Sequence, residues 1–187
     1  MRLTRVLGAA GVAAASAGGL YLGLVTGALT LDLGIGRRTR ALGPIEVAIA
    51  APRELVFDVA TAPYATRQSS AMREKVRVLE RGEGMVLAAH RTRLGRRLVA
   101  TTTETVTFER PERIGFRLLR GPVPHVSETF QLIATGTAAT LLRYQGELGT
   151  DLWTLGQRWG DLVARTWEDT VRGSLQQIKT EAERRRR

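Results

Sequence analysis

Cysteine is absent from this 187-residue chain, and histidine occurs only twice. Without cysteine there is no disulfide framework, no thiolate metal ligand and no thiol nucleophile. The two histidines, His90 and His125, lie in separate segments, so a histidine-rich metal site is not expected either. We therefore predict a protein that holds neither a metal ion nor a cofactor.

Lysine is almost as scarce, because only Lys75 and Lys179 contribute to the 28 basic residues and arginine carries nearly all of the net charge of +10. This charge is read either as attraction to anionic lipid or nucleic acid, or as compositional drift on a solvated surface. No nucleic-acid-binding motif accompanies the arginines, so no nucleic-acid partner is predicted. The dense run Arg184–Arg187 is either a solvated helix end or a contact with lipid headgroups.

Charge is also absent from the 26 residues Val6–Leu31, which follow Arg2 and Arg5. A helix needs about 20 apolar residues to span the hydrocarbon core, so the segment is long enough for a transmembrane anchor. Two alternatives stay open: a signal peptide cleaved after Ala15-Ser16-Ala17, and a soluble helix rich in alanine and glycine. The anchor is favoured because the apolar run continues past that cleavage site.

The resulting domain limits are an anchor or signal segment at 1–36, a basic linker at 37–43 and a folded domain at 44–187. The arginines that follow the anchor outnumber those that precede it, which predicts a single-pass protein of the bacterial cell membrane with a cytoplasmic domain. Gly19, Gly23 and Gly27 recur at intervals of four, which would place them on one helix face. Such a face lets a second helix approach closely, so a homodimer through these glycines is a further hypothesis.

Beyond the anchor, short segments with strand-like alternation are separated by turn residues. They are predicted at 45–49, 74–81, 85–93, 96–109, 114–119, 125–134 and 137–148. A short helix opens at Pro52, where the missing N–H of proline is tolerated. Consecutive strands joined by short turns form an antiparallel meander, so the fold class is α+β with a curved antiparallel sheet.

The chain closes with a helix predicted from Asp151 to Glu183. One apolar stripe recurs at spacings of three and four along it, formed by Val163, Trp167, Val171, Ser174, Leu175 and Ile178. Gly156 and Gly160 are costly in a helix, and they are interpreted as a kink or a frayed first turn that leaves room beside the sheet.

The residues from Ile45 to Phe57, which run through Ala51-Pro52-Arg53-Glu54 into Val56-Phe57, resemble the opening of the START-like superfamily, also called SRPBCC. Phe130-Gln131-Leu132 and the closing helix extend the resemblance, and the branch it indicates is that of polyketide cyclases, dehydrases and lipid-transport proteins. The resemblance implies a helix-grip fold, in which the sheet wraps the last helix around an apolar cavity.

We expect the ligand of such a cavity to contact residues on the inner strand faces and the last helix: Leu98, Glu104, Val106, Phe116, Phe130, Leu132, Tyr144, Trp159, Val163 and Trp167. Glu104 and His90 are the candidate catalytic residues, because a carboxylate among apolar neighbours has a raised pKa and can donate a proton. The alternative is that the opposite, threonine-lined side of that strand faces inward and leaves Glu104 in solvent.

The predicted function is binding of a small hydrophobic molecule such as a lipid, isoprenoid or polyketide, with transport or sequestration as its purpose. The alternative is a cyclase or dehydratase that acts on a polyketide-like substrate. The fold fixes neither choice by itself.

Overall fold

The computed structural model describes residues 18–94 and 98–187. A helix, α1, covers residues 18–25 of this part. The elements that follow are β1 (Arg38–Ile49), α2 (Arg53–Thr61), a 3₁₀ turn (Ala62–Tyr64), α3 (Ser70–Lys75), β2 (Val76–Gly82), β3 (Met85–Leu94), β4 (Leu98–Glu109), β5 (Arg113–Arg120), β6 (His125–Gly136), β7 (Ala139–Thr150) and α4 (Trp153–Arg186).

All seven strands join one antiparallel sheet with the order β1-β7-β6-β5-β4-β3-β2. The six strands from β2 to β7 form the predicted meander, and β1 closes it by pairing with β7. Helix α4 lies mainly against β1, β7 and α2. The α+β class and the helix-grip arrangement of sheet and long helix are confirmed.

The core lies between the concave face of the sheet and the two helices α2 and α4. The stripe predicted on α4 is confirmed, because Val163, Val171 and Leu175 are buried and Trp167 and Ile178 pack against the core. Full burial of each aliphatic side chain contributes about 1.5–3 kcal/mol. The stripe therefore accounts for the position of a helix whose outer face is polar.

The glycines at the start of α4 do not leave the space that the sequence suggested. A Cβ at Gly160 would lie 3.1 Å from the Thr150 side chain, and one at Gly156 would collide with the Asp151 carbonyl. Both glycines are buried inside the helix, where they let its first turns pack closely against the end of β7. The helix itself begins at Trp153, two residues later than predicted.

No helix in residues 18–94 and 98–187 is long and apolar enough to cross a membrane. Of the predicted anchor, residues 1–17 lie outside the described residues. Helix α1 ends at residue 25, close to Gly27, whose φ of 71° is left-handed, and residues 26–36 then run across the domain as an irregular segment that we call the strap. The prediction of one apolar helix that continues through residue 31 is therefore wrong beyond residue 25.

Two further expectations for this region need correction. Gly27 follows α1 rather than sharing a face with Gly19 and Gly23, because left-handed glycine is a common helix terminator. The basic linker at 37–43 does not exist as such, because β1 begins at Arg38 and residues 38–42 already pair with β7. The predicted homodimer stays a prediction, as does lipid contact by Arg184–Arg187, of which Arg184 and Arg185 pair with Glu181.

Candidate functional site

Alternation along β4 decides which of its sides faces inward. Ala100, Glu104 and Val106 are buried, whereas Thr101, Thr103 and Thr105, on the opposite side of the strand, are half-buried. Glu104 is only 5% exposed and lies opposite Ala88 of β3 and Leu118 of β5. The side of β4 that carries Glu104 therefore faces the core, and the alternative with the threonines inside is wrong.

A first polar cluster surrounds Glu104. The Thr102 hydroxyl donates a hydrogen bond of 2.6 Å to Glu104 Oε1, and His90 Nδ1 lies 3.2 Å from Glu104 Oε2. The second contact is an ion pair without the alignment of a hydrogen bond, and His90 Nδ1 is otherwise buried without a partner. On the other side of the ring, His90 Nε2 lies 2.9 Å from the Tyr64 hydroxyl.

A second polar cluster surrounds Glu128 on β6. The Tyr144 hydroxyl and the Trp167 indole nitrogen both donate to Glu128 Oε2, at 2.8 and 2.7 Å. Oε1 has no hydrogen-bond partner among the described residues, and it is not fully enclosed. Glu128 lies opposite Gly146 of β7, where any Cβ would come within 2.7 Å of Glu128 Cβ. The missing side chain at Gly146 is thus what admits a carboxylate here.

Aromatic rings join the two clusters across the concave face. Tyr64 stacks at an angle on Phe116, Phe116 on Phe130, and Phe130 on Tyr144, with ring centroids 6.5, 5.1 and 5.8 Å apart. Tyr64 comes from the 3₁₀ turn and also contacts His90 and Phe108. Since α4 lies mainly over β1 and β7, the 3₁₀ turn covers the part of the concave face that holds His90 and Glu104.

Burial and the charge of the partner have opposite effects on the pKa values of His90 and Glu104. Burial by itself would lower the pKa of His90, but the negative charge of Glu104 outweighs it and the pKa is raised. Burial would likewise raise the pKa of Glu104, but the positive charge of His90 and the hydrogen bond from Thr102 lower it, so the raised pKa expected for Glu104 from the sequence is wrong. The contact therefore favours the charged form of each partner, the imidazolium and the carboxylate.

The pKa of Glu128 is raised, whereas that of Glu104 is lowered. Burial raises its pKa to about 7, and the negative charge of Glu104 adds to the effect, while the bonds from Trp167 and Tyr144 oppose it. Burial also raises the pKa of the Tyr64 and Tyr144 hydroxyls above their usual range, so both stay protonated. Two carboxyl groups on one face thus differ in protonation, the arrangement that suits one to hold charge and the other to donate a proton.

The structure brings together most of the residues proposed from the sequence. Glu104, Val106, Phe130, Leu132, Tyr144 and Val163 are buried in the core, Phe116, Trp159 and Trp167 are half-buried against it, and Leu98 is half-buried at the start of β4. Trp159 donates its indole N–H to the Pro122 carbonyl, so it links α4 to the loop between β5 and β6. His90 and Glu104, the candidate catalytic residues, are in contact.

Two members of the site were not among the proposed residues. Glu128 lies on the same side of β6 as Phe130 and Leu132, two residues before Phe130. The period of two that assigned those residues to the core would therefore have assigned Glu128 to it as well. Tyr64 had no such signal, because a 3₁₀ turn after a proline has no periodicity that assigns its side chain to the core. Residues 18–94 and 98–187 contain no group of metal-ligating side chains.

Neither of the two best-defined pockets among the described residues lies between the sheet and α4, where the cavity is expected. The larger, of about 520 Å³, lies beside α3 and β2. Neither is lined by a residue of the two polar clusters. The aromatic rings occupy the concave face between these clusters.

Comparison with known families and structures agrees with this architecture. The family model for polyketide cyclase/dehydrase and lipid transport matches residues 45–183, so the chain belongs to that family. A search of curated proteins returned no match.

Among solved structures, the Zhui aromatase/cyclase from Streptomyces sp. R1128 is similar with a TM-score of 0.63 at 20% identity, over 81% of this chain and 96% of that one. The di-domain ARO/CYC BexL from the BE-7585A biosynthetic pathway is similar with a TM-score of 0.58 at 20% identity, over 79% of this chain and 50% of that one. Truncated norcoclaurine synthase from Thalictrum flavum is similar with a TM-score of 0.59 at 11% identity, over 81% of this chain and 96% of that one. At these identities the likeness establishes the fold alone.

Proposed function

We propose that this member of the polyketide cyclase/dehydrase and lipid transport family binds a small, largely apolar molecule that carries a carbonyl or hydroxyl oxygen. The observation that supports the proposal is Glu128, a carboxyl group with a raised pKa that is enclosed by aromatic side chains. A buried carboxyl is costly for the fold unless it is paired, and Oε1 of Glu128 accepts no hydrogen bond from the described residues.

The surroundings of Glu128 fit an apolar ligand. Phe116 and Phe130 lie along one side, and Trp167 and Tyr144 hold the carboxyl from the other. Burial of apolar ligand surface on such rings contributes about 25 cal/mol per Å² before ordering costs. A single hydrogen bond to Glu128 would then orient the ligand, as is usual in sites with few polar groups.

The protonation of Glu128 favours a neutral oxygen over an anionic one. A protonated carboxyl donates to a carbonyl oxygen and can also accept from a hydroxyl group. A protonated Glu128 has no positive charge to pair with a carboxylate or phosphate, so fatty acids and phospholipid headgroups fit poorly beside it. Isoprenoid alcohols, quinones and aromatic polyketides remain as ligand classes.

Solvent extraction of the purified full chain, followed by mass spectrometry, tests this proposal. We expect an apolar molecule with at least one oxygen to be recovered from the wild-type protein. Glu128→Met should weaken rebinding of that molecule by roughly tenfold, because methionine has no hydrogen-bond donor and the lost hydrogen bond contributes about 1.5 kcal/mol. Glu46→Met, on the exposed side of β1, is the matched control. Equal rebinding by both variants would contradict the role of Glu128.

A second candidate function is acid–base catalysis of the cyclase or dehydratase type, and the opposite pKa shifts of Glu104 and Glu128 favour it. In a dehydration, the neutral Glu128 carboxyl would donate its proton to the departing hydroxyl group, which leaves as water. The Glu104 carboxylate or neutral His90 would remove the proton from the carbon next to a carbonyl, and the C–H electrons form the new double bond.

A turnover assay distinguishes ligand binding from catalysis. A β-hydroxy thioester with an aromatic tail, incubated with the full chain, should lose water only if the second function holds. Glu104→Gln should then abolish conversion and spare binding, whereas His125→Gln, at a half-buried position on β6 where His125 pairs with Glu147, should leave both unchanged. Binding without conversion by the wild-type protein supports the first function and rejects the second.

A further inference from the structure

Exposed apolar side chains are concentrated at one end of the described structure. They come from α1, the strap and the first turns of α4: Leu20, Tyr21, Leu22, Leu29, Leu33, Ile35, Trp153, Leu155 and Leu162. We call this set the apolar end. Leu155 is 70% exposed and Trp153 is 54% exposed, whereas large apolar side chains are usually mostly buried. Patches of this kind mark interaction surfaces.

Hydrogen bonds hold the three parts of the apolar end together. Asp151 accepts the backbone N–H groups of Leu33 and Gly34 at 2.6 and 2.8 Å, and its other oxygen accepts from Arg37 Nε at 2.7 Å. The N–H groups of Leu152 and Trp153 donate to the carbonyls of residues 35 and 36. The exposed side chains are therefore presented by a fixed backbone.

The backbone at the start of α4 is strained in a way that exposes Trp153. Leu152 and Trp153 have φ values of 69° and 49°, in the left-handed region that large side chains rarely occupy. Strain of this kind persists where the surrounding structure enforces it, and it is concentrated at functional sites. Here the enforced conformation orients an indole ring across Gly36 at the surface, where half of it meets solvent.

Basic residues flank the exposed leucines on α4. Leu155, Arg158, Leu162 and Arg165 recur at intervals of three and four, so they share the outward face of the first turns. Arg158 and Arg165 are exposed and have no carboxylate partner among the described residues. Arginine beside leucine, with tryptophan and tyrosine nearby, is the composition of a helix face that lies in the interface of an anionic membrane.

The chain that precedes the apolar end favours the same partner. Residues 6–17 carry no charge and lead directly into α1, and Arg2 and Arg5 come before them. We propose that the apolar end docks on an anionic lipid bilayer, with Trp153, Leu155 and Leu162 in the interface and Arg158 and Arg165 at the headgroups. The surface is independent of the ligand proposed above.

Because the chain has no cysteine, a single introduced cysteine can be labelled without ambiguity. Full-length Leu155→Cys and Leu79→Cys are labelled with an environment-sensitive fluorophore and mixed with vesicles of phosphatidylcholine and phosphatidylglycerol. Leu79 is the control because it is also exposed but lies on β2. We expect a blue shift at position 155 only, weaker in pure phosphatidylcholine and at high salt. No shift at 155, or equal shifts at both positions, would overturn the proposal.

Substitution provides the second arm of the test. L155Q/L162Q in the full chain should lower binding to the same vesicles by roughly tenfold, because two side chains no longer enter the interface. Leu79→Gln removes similar apolar surface elsewhere and should leave binding unchanged. Unchanged binding of the double variant, or lipid-independent dimers that the double variant abolishes, would mean that another segment or a second copy of the chain occupies this surface.

Discussion

The Trp167 indole nitrogen on α4 donates a hydrogen bond of 2.7 Å to Oε2 of Glu128 on β6. This bond ties the long helix to the centre of the sheet, although α4 packs mainly over β1 and β7. A buried hydrogen bond to a carboxyl is strong, and its loss leaves the remaining group unpaired. Glu128 is thus both a structural link and a group whose protonation changes near neutral pH.

Glu128 makes folding stability depend on pH in a definite direction. Its pKa is raised from 4.5 to about 7 in the folded protein. Between these values the folded state binds more protons than the unfolded state, so stability falls as pH rises from about 4.5 to 7. Glu128→Gln removes the titration and should gain stability relative to wild type by up to about 3 kcal/mol between pH 5 and pH 8.

Urea unfolding followed by far-ultraviolet circular dichroism at several pH values measures that difference. Glu46→Gln, on the exposed face of β1, is the control and should give a curve parallel to that of wild type. If the Glu128→Gln curve is also parallel to wild type, Glu128 is not protonated in the folded state.

The charge on Glu104 should govern the titration of His90. Burial opposes the charged form of His90, and Glu104 reverses that effect. Glu104→Gln should therefore lower the pKa of His90 below its ordinary value of 6.5. The raised pKa stabilises the wild-type fold below pH 6.5, and this contribution is lost as pH rises through the folded value. The variant should lack it.

Nuclear magnetic resonance of the imidazole ring protons measures the titration directly. His125→Gln assigns the two resonances, because the chain has no third histidine. A pKa of His90 that is the same in wild type and Glu104→Gln would show that the contact between them carries no charge.

Position 146 on β7 requires glycine, because β6 lies too close to leave room for a Cβ. A Cβ there would lie 2.6 Å from the Ser127 carbonyl oxygen and 2.7 Å from Glu128 Cβ, and neither neighbour is the flexible end of a side chain. Gly146→Ala should therefore destabilise the fold by about 1–3 kcal/mol, the usual cost of overpacking. Gly136→Ala, at the end of β6 with nothing within 4 Å, is the matched control. Equal urea midpoints for both variants would contradict this account.

Asp151 should hold the strap on the domain. Arg37, hydrogen-bonded to its side chain, lowers the pKa of Asp151 to about 2, and two backbone N–H groups in the strap add to the effect. Asp151→Asn should speed amide hydrogen exchange at Leu33 and Gly34 by roughly tenfold, because these amides lose a charged acceptor. Asp161→Asn removes only an exposed pair with Arg40 and should leave the strap unchanged. Exchange that is equally slow in both variants would show that other contacts hold the strap.

Local pattern was enough for most of the architecture. The period of two between Ile45 and Leu148 identified the strands, and the spacing of Val163, Val171 and Leu175 identified the inner face of the last helix. These predictions succeeded because each element buries one face, so its apolar residues recur at the period of the strand or helix.

The same reasoning failed where conformation depends on a partner far along the chain. The apolar run before residue 31 satisfies the composition of a membrane helix, but residues 26–36 bond to Thr101, Gly121 and Asp151 instead. Residues 38–42 were assigned to a linker, although their backbone groups pair with β7. Pairing of this kind has no signal in the local sequence.

What the sequence by itself determined about this protein is therefore its set of elements, its fold class and the inward orientation of Phe130 and Leu132. The tertiary structure alone decided that Glu104 meets His90, that Glu128 meets Tyr144 and Trp167, and that Tyr64 closes the site. The physical reason is that a pKa or a hydrogen bond depends on distances between groups from different strands and helices, and those distances exist only once the sheet has closed around α4.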